Sequence, residues 1–258
     1  MNKRNTQQRR RLILDRLSAD GEVSVEALAA ENHTSGVTIR KDLAALEASG
    51  LLLRKYGGAV PLPKELVVDI PPEANERLSK RKLAIAKAAA GLIRDHYRII
   101  IDAGQTTTAL LPELAHKQGL VVMTNSLDVA NALRELENEP TLLMTGGTWD
   151  TQSEAFQGQL AEEVLRSYDF DQLFIGADGI DPKRGTTTYN ELYSLSRVMA
   201  EVSREVIVLV ESEKIGRKIH NSELVWKDID LLVTDEGLSA DLKHEIQAQG
   251  VKVVCAKT

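Results

Sequence analysis

Seven short apolar runs recur between residues 99 and 254, at 99–101, 120–123, 141–144, 173–175, 206–210, 231–233 and 251–254. Helical patterns stand between several of them, at 81–94, 127–137, 192–202 and 240–249. Short continuous apolar runs are what strands buried on both faces look like. Their alternation with helices predicts an α/β domain built on a largely parallel sheet with both faces covered. In such a sheet the loops at the C-terminal strand ends are where ligands bind.

The first sixty residues follow a different pattern. Ile13 and Leu17 are spaced for a helix over 7–19, and Ser24 is placed to cap a short helix carrying Val25, Leu28 and Ala29. Asn32-His33-Thr34 reads as a turn. Ser35 caps a third helix, in which Ile39, Leu43 and Leu46 recur at i, i+4 and i+7 as a buried stripe. At about 100° per residue, Val37, Arg40, Lys41 and Ala44 then face away from that stripe, with Thr38 at its flank. Strands at 51–54 and 59–60, joined through Gly57-Gly58, complete a wing.

The outward face of the third helix is short, cationic and free of bulky side chains, and it fits a major groove about 12 Å wide. Arg40 and Lys41 can donate to phosphates or guanine edges, Thr38 to a phosphate or base edge, and Val37 can touch a thymine methyl. Arg54, Lys55 and Tyr56 on the wing are placed to grip the adjacent backbone, and Arg9, Arg10 and Arg11 to add phosphate contacts. An Arg-Lys pair alone reads most simply as a solvated helix face. Three short helices, a cap and a glycine wing in this order predict a winged helix-turn-helix on double-stranded DNA. Charge agrees: residues 1–60 hold ten Lys/Arg and seven Asp/Glu, net +3, so the chain's −6 leaves −9 for the remainder.

Four of the seven prolines, Pro61, Pro63, Pro71 and Pro72, lie between these regions and predict an extended linker. The expected organisation is a DNA-binding domain over 1–60, a linker over 61–75 and a sensing domain over 76–258. No apolar run approaches the roughly 18 residues of a membrane span. A single cysteine, Cys255, and an Asn/Arg/Gln-rich start with no apolar leader fit a cytoplasmic protein. The five histidines are scattered without ligand spacing, so neither metal nor cofactor is expected.

Four polar loops follow apolar strands in the second region. They are 102–108 (Asp102, Gly104, Thr106, Thr107), 124–126 (Asn125), 145–147 (Gly146, Gly147) and 176–191 (Asp178, Asp181, Glu191). Each alone reads as a turn or a cap. Together they predict a pocket for a small hydroxylated anion, held by backbone N–H groups at a helix start, with Lys214 as a supporting cation.

The chain resembles the DeoR family of bacterial sugar-metabolism regulators. The resemblance rests on Val-Thr-Ile-Arg-Lys-Asp-Leu (37–43), Leu-Glu-x-x-Gly (46–50) and Arg-Lys-Tyr-Gly-Gly-Ala (54–59), and it extends over nearly the whole sequence. Gly36 departs from it, where a better helix former is usual. The second region also resembles A-type ribose-5-phosphate isomerase, at 104–107, 176–181 and 208–214. The likeness implies that Thr106 and Thr107 hold phosphate while Asp102, Asn125, Asp178 and Glu191 address sugar hydroxyls. Stretches 123–127 and 166–181 resemble regulators encoded beside glucosamine-6-phosphate synthase and repressors of hexitol operons. These resemblances imply a repressor whose operator affinity responds to a phosphorylated sugar or amino sugar, acting as a homodimer or homotetramer. The alternatives are an isomerase-like enzyme with a regulatory head and a scaffold without ligand. The isomerase's lysine and glycine run are not reproduced at 182–188, which favours a pocket without turnover.

Overall fold

The computed structural model describes residues 9–10, 12–14, 16–17, 20–48, 52–55, 57–60, 79–190, 193–217 and 219–258. The chain divides into two compact units, Met1–Asn75 and Glu76–Thr258. The proline-rich segment 61–75 lies outside the described residues.

In the first unit the described residues between 9 and 20 are helical (α1), followed by β1 (Val23–Ser24), α2 (Val25–Glu31), α3 (Gly36–Ala48), β2 (Leu53–Lys55) and β3 (Gly58–Val60). The two expected serine caps are present. Ser24 Oγ accepts from the Ala27 N–H at 3.1 Å, and Ser35 Oγ from the Thr38 N–H at 3.2 Å. Ile13, Leu17, Val25, Leu28, Ile39, Leu43, Leu46, Leu52 and Ala59 form the core. The wing carries one more strand than expected. β1 pairs antiparallel with β3, which also pairs with β2. Gly57 turns the chain at φ +77°, and a Cβ on Gly58 would stand 2.0 Å from the Val23 carbonyl oxygen. Only glycine allows these two backbones to approach so closely. Gly36 also sits at a close approach, because a Cβ there would meet Val25 Cγ1 at 3.3 Å.

The second unit opens with α4 (Lys80–Ala90). It continues through β4 (Arg98–Ile101), α5 (Gln105–Thr108), β5 (Val121–Thr124), α6 (Leu127–Arg134) and β6 (Thr141–Met144). A hairpin of β7 (Thr148–Asp150) and β8 (Ala155–Gln157) leads to α7 (Gln159–Leu165) and β9 (Phe170–Ile175). Then come β10 (Gly179–Asp181), β11 (Gly185–Thr188), α8 (Ser194–Glu201), β12 (Ser203–Leu209), β13 (Asn221–Val225), β14 (Leu231–Asp235), α9 (Ala240–Gln247) and β15 (Lys252–Ala256). Seven strands form one parallel sheet in the order β15-β14-β12-β9-β4-β5-β6. Alternate side chains feed two cores. Ile100, Leu173, Ile175, Val206, Val208 and Leu232 pack on one face; Ile99, Ile101, Phe174, Ile207, Leu209 and Val233 pack on the other. All seven strands overlap the seven apolar runs; in the five interior strands burial on both faces makes the run continuous, whereas the edge strands β6 and β15 are only partly buried.

One expectation needs correction. Residues 176–191 are not a single loop. They include β10 and β11, which join β13 in a separate antiparallel sheet. Thr186, Thr187 and Thr188 are buried there rather than displayed. Threonine suits a strand through its branched Cβ, and its polarity disguised the burial. Among the described residues no helix is long and apolar enough to cross a membrane.

Candidate functional sites

Helix α3 presents two unlike faces. Ile39, Leu43 and Leu46 are at most 5% exposed, whereas Val37 is 60% exposed and Arg40 and Lys41 stand in solvent. Thr38 is half-buried, and its hydroxyl lies 3.0 Å from that of Ser35, so cap and flank form one small polar cluster at the helix start. On the wing Arg54 and Lys55 are exposed, and Lys55 is ion-paired with Glu22. Tyr56 and Arg11 lie outside the described residues. Arg9 and Arg10 are not disposed as phosphate ligands. Both bond Asp42, Arg9 Nε to Oδ2 at 2.6 Å and Arg10 Nε to Oδ1 at 3.0 Å. Asp42 is 2% exposed and needs cationic partners to be buried at all. It draws Arg9 inward and holds Arg10, which stays partly exposed.

In the second unit the strand order reverses between β4 and β9. In open α/β sheets a crevice at the C-terminal ends of two such strands is the expected ligand site. Asp102 follows β4, and Ala177-Asp178 follow β9. The Asp102 N–H bonds the Phe174 carbonyl at 3.0 Å, which closes the base of this crevice.

The loop after β4 is held open by its own polar groups. Asn125 is 1% exposed; its Oδ1 accepts from the Ala103 N–H at 3.0 Å and its Nδ2 donates to Asp102 Oδ1 at 2.8 Å. Thr107 is fully buried, and its hydroxyl donates to the carbonyls of Asp102 (2.8 Å) and Gly104 (2.9 Å). Its hydroxyl is therefore spent on shaping the loop rather than on a phosphate, which corrects the part expected of that side chain. Gly104 adopts φ +154°, and its carbonyl also accepts from the Thr108 hydroxyl at 2.7 Å. Thr106 is 7% exposed. The N–H groups of Gln105, Thr106 and Thr107, at the start of α5, have no acceptor among the described residues.

Charged groups ring this loop. Lys214 is half-buried and donates from Nζ to the Ala177 carbonyl at 3.0 Å. Burial depresses its pKa, against the opposing pull of Asp178 and Glu211. Asp178 is exposed and accepts from the Thr188 hydroxyl (2.8 Å) and the Tyr189 N–H (3.2 Å). Burial, reinforced by the nearby Asp178 charge, pushes Asp102 up to about 6 despite its bond from Asn125.

Sequence reasoning missed two members. Glu223 on β13 accepts from the Ser196 hydroxyl at 2.7 Å and the Thr186 hydroxyl at 3.2 Å. Burial pushes it up to about 7, with the charges of Asp102 and Asp178 adding to the shift. Lys82 on α4 donates to Gln105 Oε1 at 2.6 Å and stands 3.8 Å from Glu211. No sequence spacing links either residue to Asp102. Only the folding of β13 and α4 against the crevice brings them there.

Other expected residues lie apart or turn elsewhere. Gly146 and Gly147 follow β6, two strands out from β4, and a Cβ on Gly147 would meet the Gln157 carbonyl oxygen at 2.5 Å. Asp181 is paired with Arg184 at 2.9 Å inside the β10–β11 hairpin. Glu191 lies outside the described residues. A polar cleft of about 410 Å³, lined by Arg204, Trp226, Asp230 and Lys252, sits at the N-terminal strand ends, away from Asp102. Among the described residues no His/Cys/Asp/Glu group is arranged to hold a metal ion.

The crevice thus brings the α5 N–H groups, Lys82 and Lys214 together with the carboxyls of Asp102, Asp178 and Glu223. A small molecule bearing both an anion and hydroxyls is complementary to it.

Residues 9–64 match the DeoR-like helix-turn-helix domain and residues 78–236 the DeoR C terminal sensor domain. A protein of Escherichia coli O157:H7 that carries the name of an aga operon transcriptional repressor is 39% identical, over 96% of this chain and 93% of its own length. The HTH-type transcriptional regulator GlpR of Haloferax volcanii is 33% identical over 96% of each chain. The lactose phosphotransferase system repressor of Lactococcus lactis is 32% identical over 91% of this chain and 93% of its own. A solved ribose 5-phosphate isomerase A from Methanocaldococcus jannaschii is similar over 52% of this chain and 53% of its own, with 20% identity and a TM-score of 0.38, too low a likeness to carry an argument.

Proposed function

The chain belongs to the DeoR family of DNA-binding transcriptional regulators, and on that premise we propose that it represses a sugar or amino-sugar operon under the control of a phosphorylated sugar. The observation that carries the reading is the outward face of α3, where Val37, Arg40 and Lys41 are exposed above a packed stripe of Ile39, Leu43 and Leu46. That face enters the major groove. Arg40 and Lys41 supply base-edge or phosphate contacts, and Arg54 and Lys55 reach the flanking backbone. Lys55 exchanges Glu22 for a phosphate as it does so.

The effector occupies the crevice between β4 and β9. Its phosphate lies against the N–H groups of 105–107 with Lys82 and Lys214, and its hydroxyls meet Asp102, Asp178 and Glu223. Control requires the effector to bind the DNA-competent and incompetent states with different free energies. The working form is a cytoplasmic homodimer or homotetramer reading paired half-sites.

Selection from a random duplex pool tests the whole reading. It expects enrichment of one sequence and release of that duplex by at least one member of a sugar-phosphate panel. A protein that enriches no sequence, or whose selected duplex ignores every sugar phosphate, contradicts it.

A further inference from the structure

The chain enters the sensor domain at Ser79, and the first turn of α4 is tied to the ligand crevice at three points. Ser79 Oγ donates to Glu211 Oε1 at 2.6 Å while accepting from the Lys82 N–H at 3.1 Å. Arg81 is ion-paired with Glu213 at 3.4 Å and lies 4.0 Å from Asp235. Lys82 reaches Gln105, at the start of α5. Glu211 and Glu213 flank or occupy a 3-10 turn, Ser212–Lys214, that ends on the Lys214 ammonium. Asp235 anchors the same turn by accepting from the Ser212 N–H and hydroxyl, both at 2.7 Å.

We propose that this first turn of α4 carries ligand occupancy from the crevice to the residues that precede Ser79. The inference rests on the placement of the effector's anion beside Gln105 and Lys214. An anion arriving there competes with Gln105 for Lys82 and with the Ala177 carbonyl for Lys214. Lys82 is linked to this turn, because its N–H is capped by Ser79 and Ser79 is bonded to Glu211. Lys214 is linked to it as well, because its turn is tied through Glu213 and Asp235 to Arg81. Both displacements therefore converge on the turn where the chain enters the domain. The coupling needs no contact between the ligand and the DNA-binding unit, only two positions of one helix start that the ligand and the ties favour differently.

The test uses the full chain, a duplex chosen by in vitro selection, and two probes, glucosamine 6-phosphate and inorganic phosphate. Probe binding is read by calorimetry and duplex affinity by fluorescence anisotropy. The variant is Ser79→Gly with Arg81→Gln. Glycine removes the hydroxyl that bonds Glu211, is well tolerated at a helix N-cap and adds no charge beside Lys82, so helix start and fold are retained. The expected result is probe affinity and probe-free duplex affinity within about threefold of wild type, with a wild-type probe response of about tenfold falling below about twofold. A variant that binds the probe and keeps the full response overturns the inference while leaving the effector site intact. A wild-type chain that binds neither probe by calorimetry overturns the placement of the anion and the inference with it.

Discussion

The Arg9 guanidinium lies 2.6 Å from the Asp42 carboxylate, and Asp42 is 2% exposed, so α1 is held to the inner side of α3 by a buried ion pair. Arg10 adds a second bond to the same carboxylate at 3.0 Å. Breaking a buried pair by removing one partner costs about 3–5 kcal/mol, a large fraction of a small domain's stability. Asp42→Ala is expected to unfold the first unit while leaving the second intact, seen as loss of one of two thermal transitions by calorimetry. Two unchanged transitions would contradict the role given to Asp42.

Because Arg10 serves Asp42 rather than DNA, Arg10→Gln is expected to leave the salt dependence of duplex binding unchanged. Arg54→Gln, which removes a proposed phosphate contact, lowers the slope of log K against log salt by about 1. Titrations across a range of salt concentrations check both. A slope change for Arg10 equal to that for Arg54 would return Arg10 to the DNA surface.

The wing depends on Gly58. An alanine Cβ there would stand 2.0 Å from the Val23 carbonyl oxygen, which backbone cannot accommodate without separating β1 from β3. Gly58→Ala should lower the melting temperature of the first unit by several degrees, about 1 kcal/mol or more. An unchanged melting temperature would mean that the close approach is not kept in solution.

Asp102 and Glu223 hold protons to about 6 and about 7 in the folded chain, above the ordinary values of 3.8 and 4.5. Folding then takes up protons between about pH 4 and 7, so these two groups make the fold more stable as pH falls through that window and less stable as it rises. Glu223→Gln removes one of them and should flatten the rise in melting temperature between about pH 8 and 5. Asp150 and Asp235, both held low, act in the opposite sense only below their ordinary values. A variant with the wild-type pH profile would contradict the buried, protonated Glu223.

Legibility in the sequence tracked how each residue is paired. The five interior strands of the main sheet were visible because both their faces are apolar, and α3 was visible because its stripe and its cations separate cleanly. The antiparallel sheet was hidden because Thr186 and Thr188 satisfy their hydroxyls internally, with Glu223 and Asp178, and so resemble loop residues. Helix α7 was hidden because it begins at Gly158 with no side-chain cap. Glu223 and Lys82 escaped for a different reason: each reaches the crevice from an element far from β4 in sequence. Arg9 and Arg10 were misread because a basic run before a helix says nothing of a buried acid more than thirty residues away.

The most direct measurement compares the affinity of wild type, Arg40→Ala and Lys41→Ala for a selected duplex and for its scrambled sequence at one fixed salt concentration. If the outward face of α3 reads the DNA, each substitution reduces the preference for the selected duplex by about five- to 150-fold, equivalent to about 1–3 kcal/mol, while the thermal transitions of both units are retained. Wild-type preference in both folded variants would contradict the central claim that this face recognises DNA.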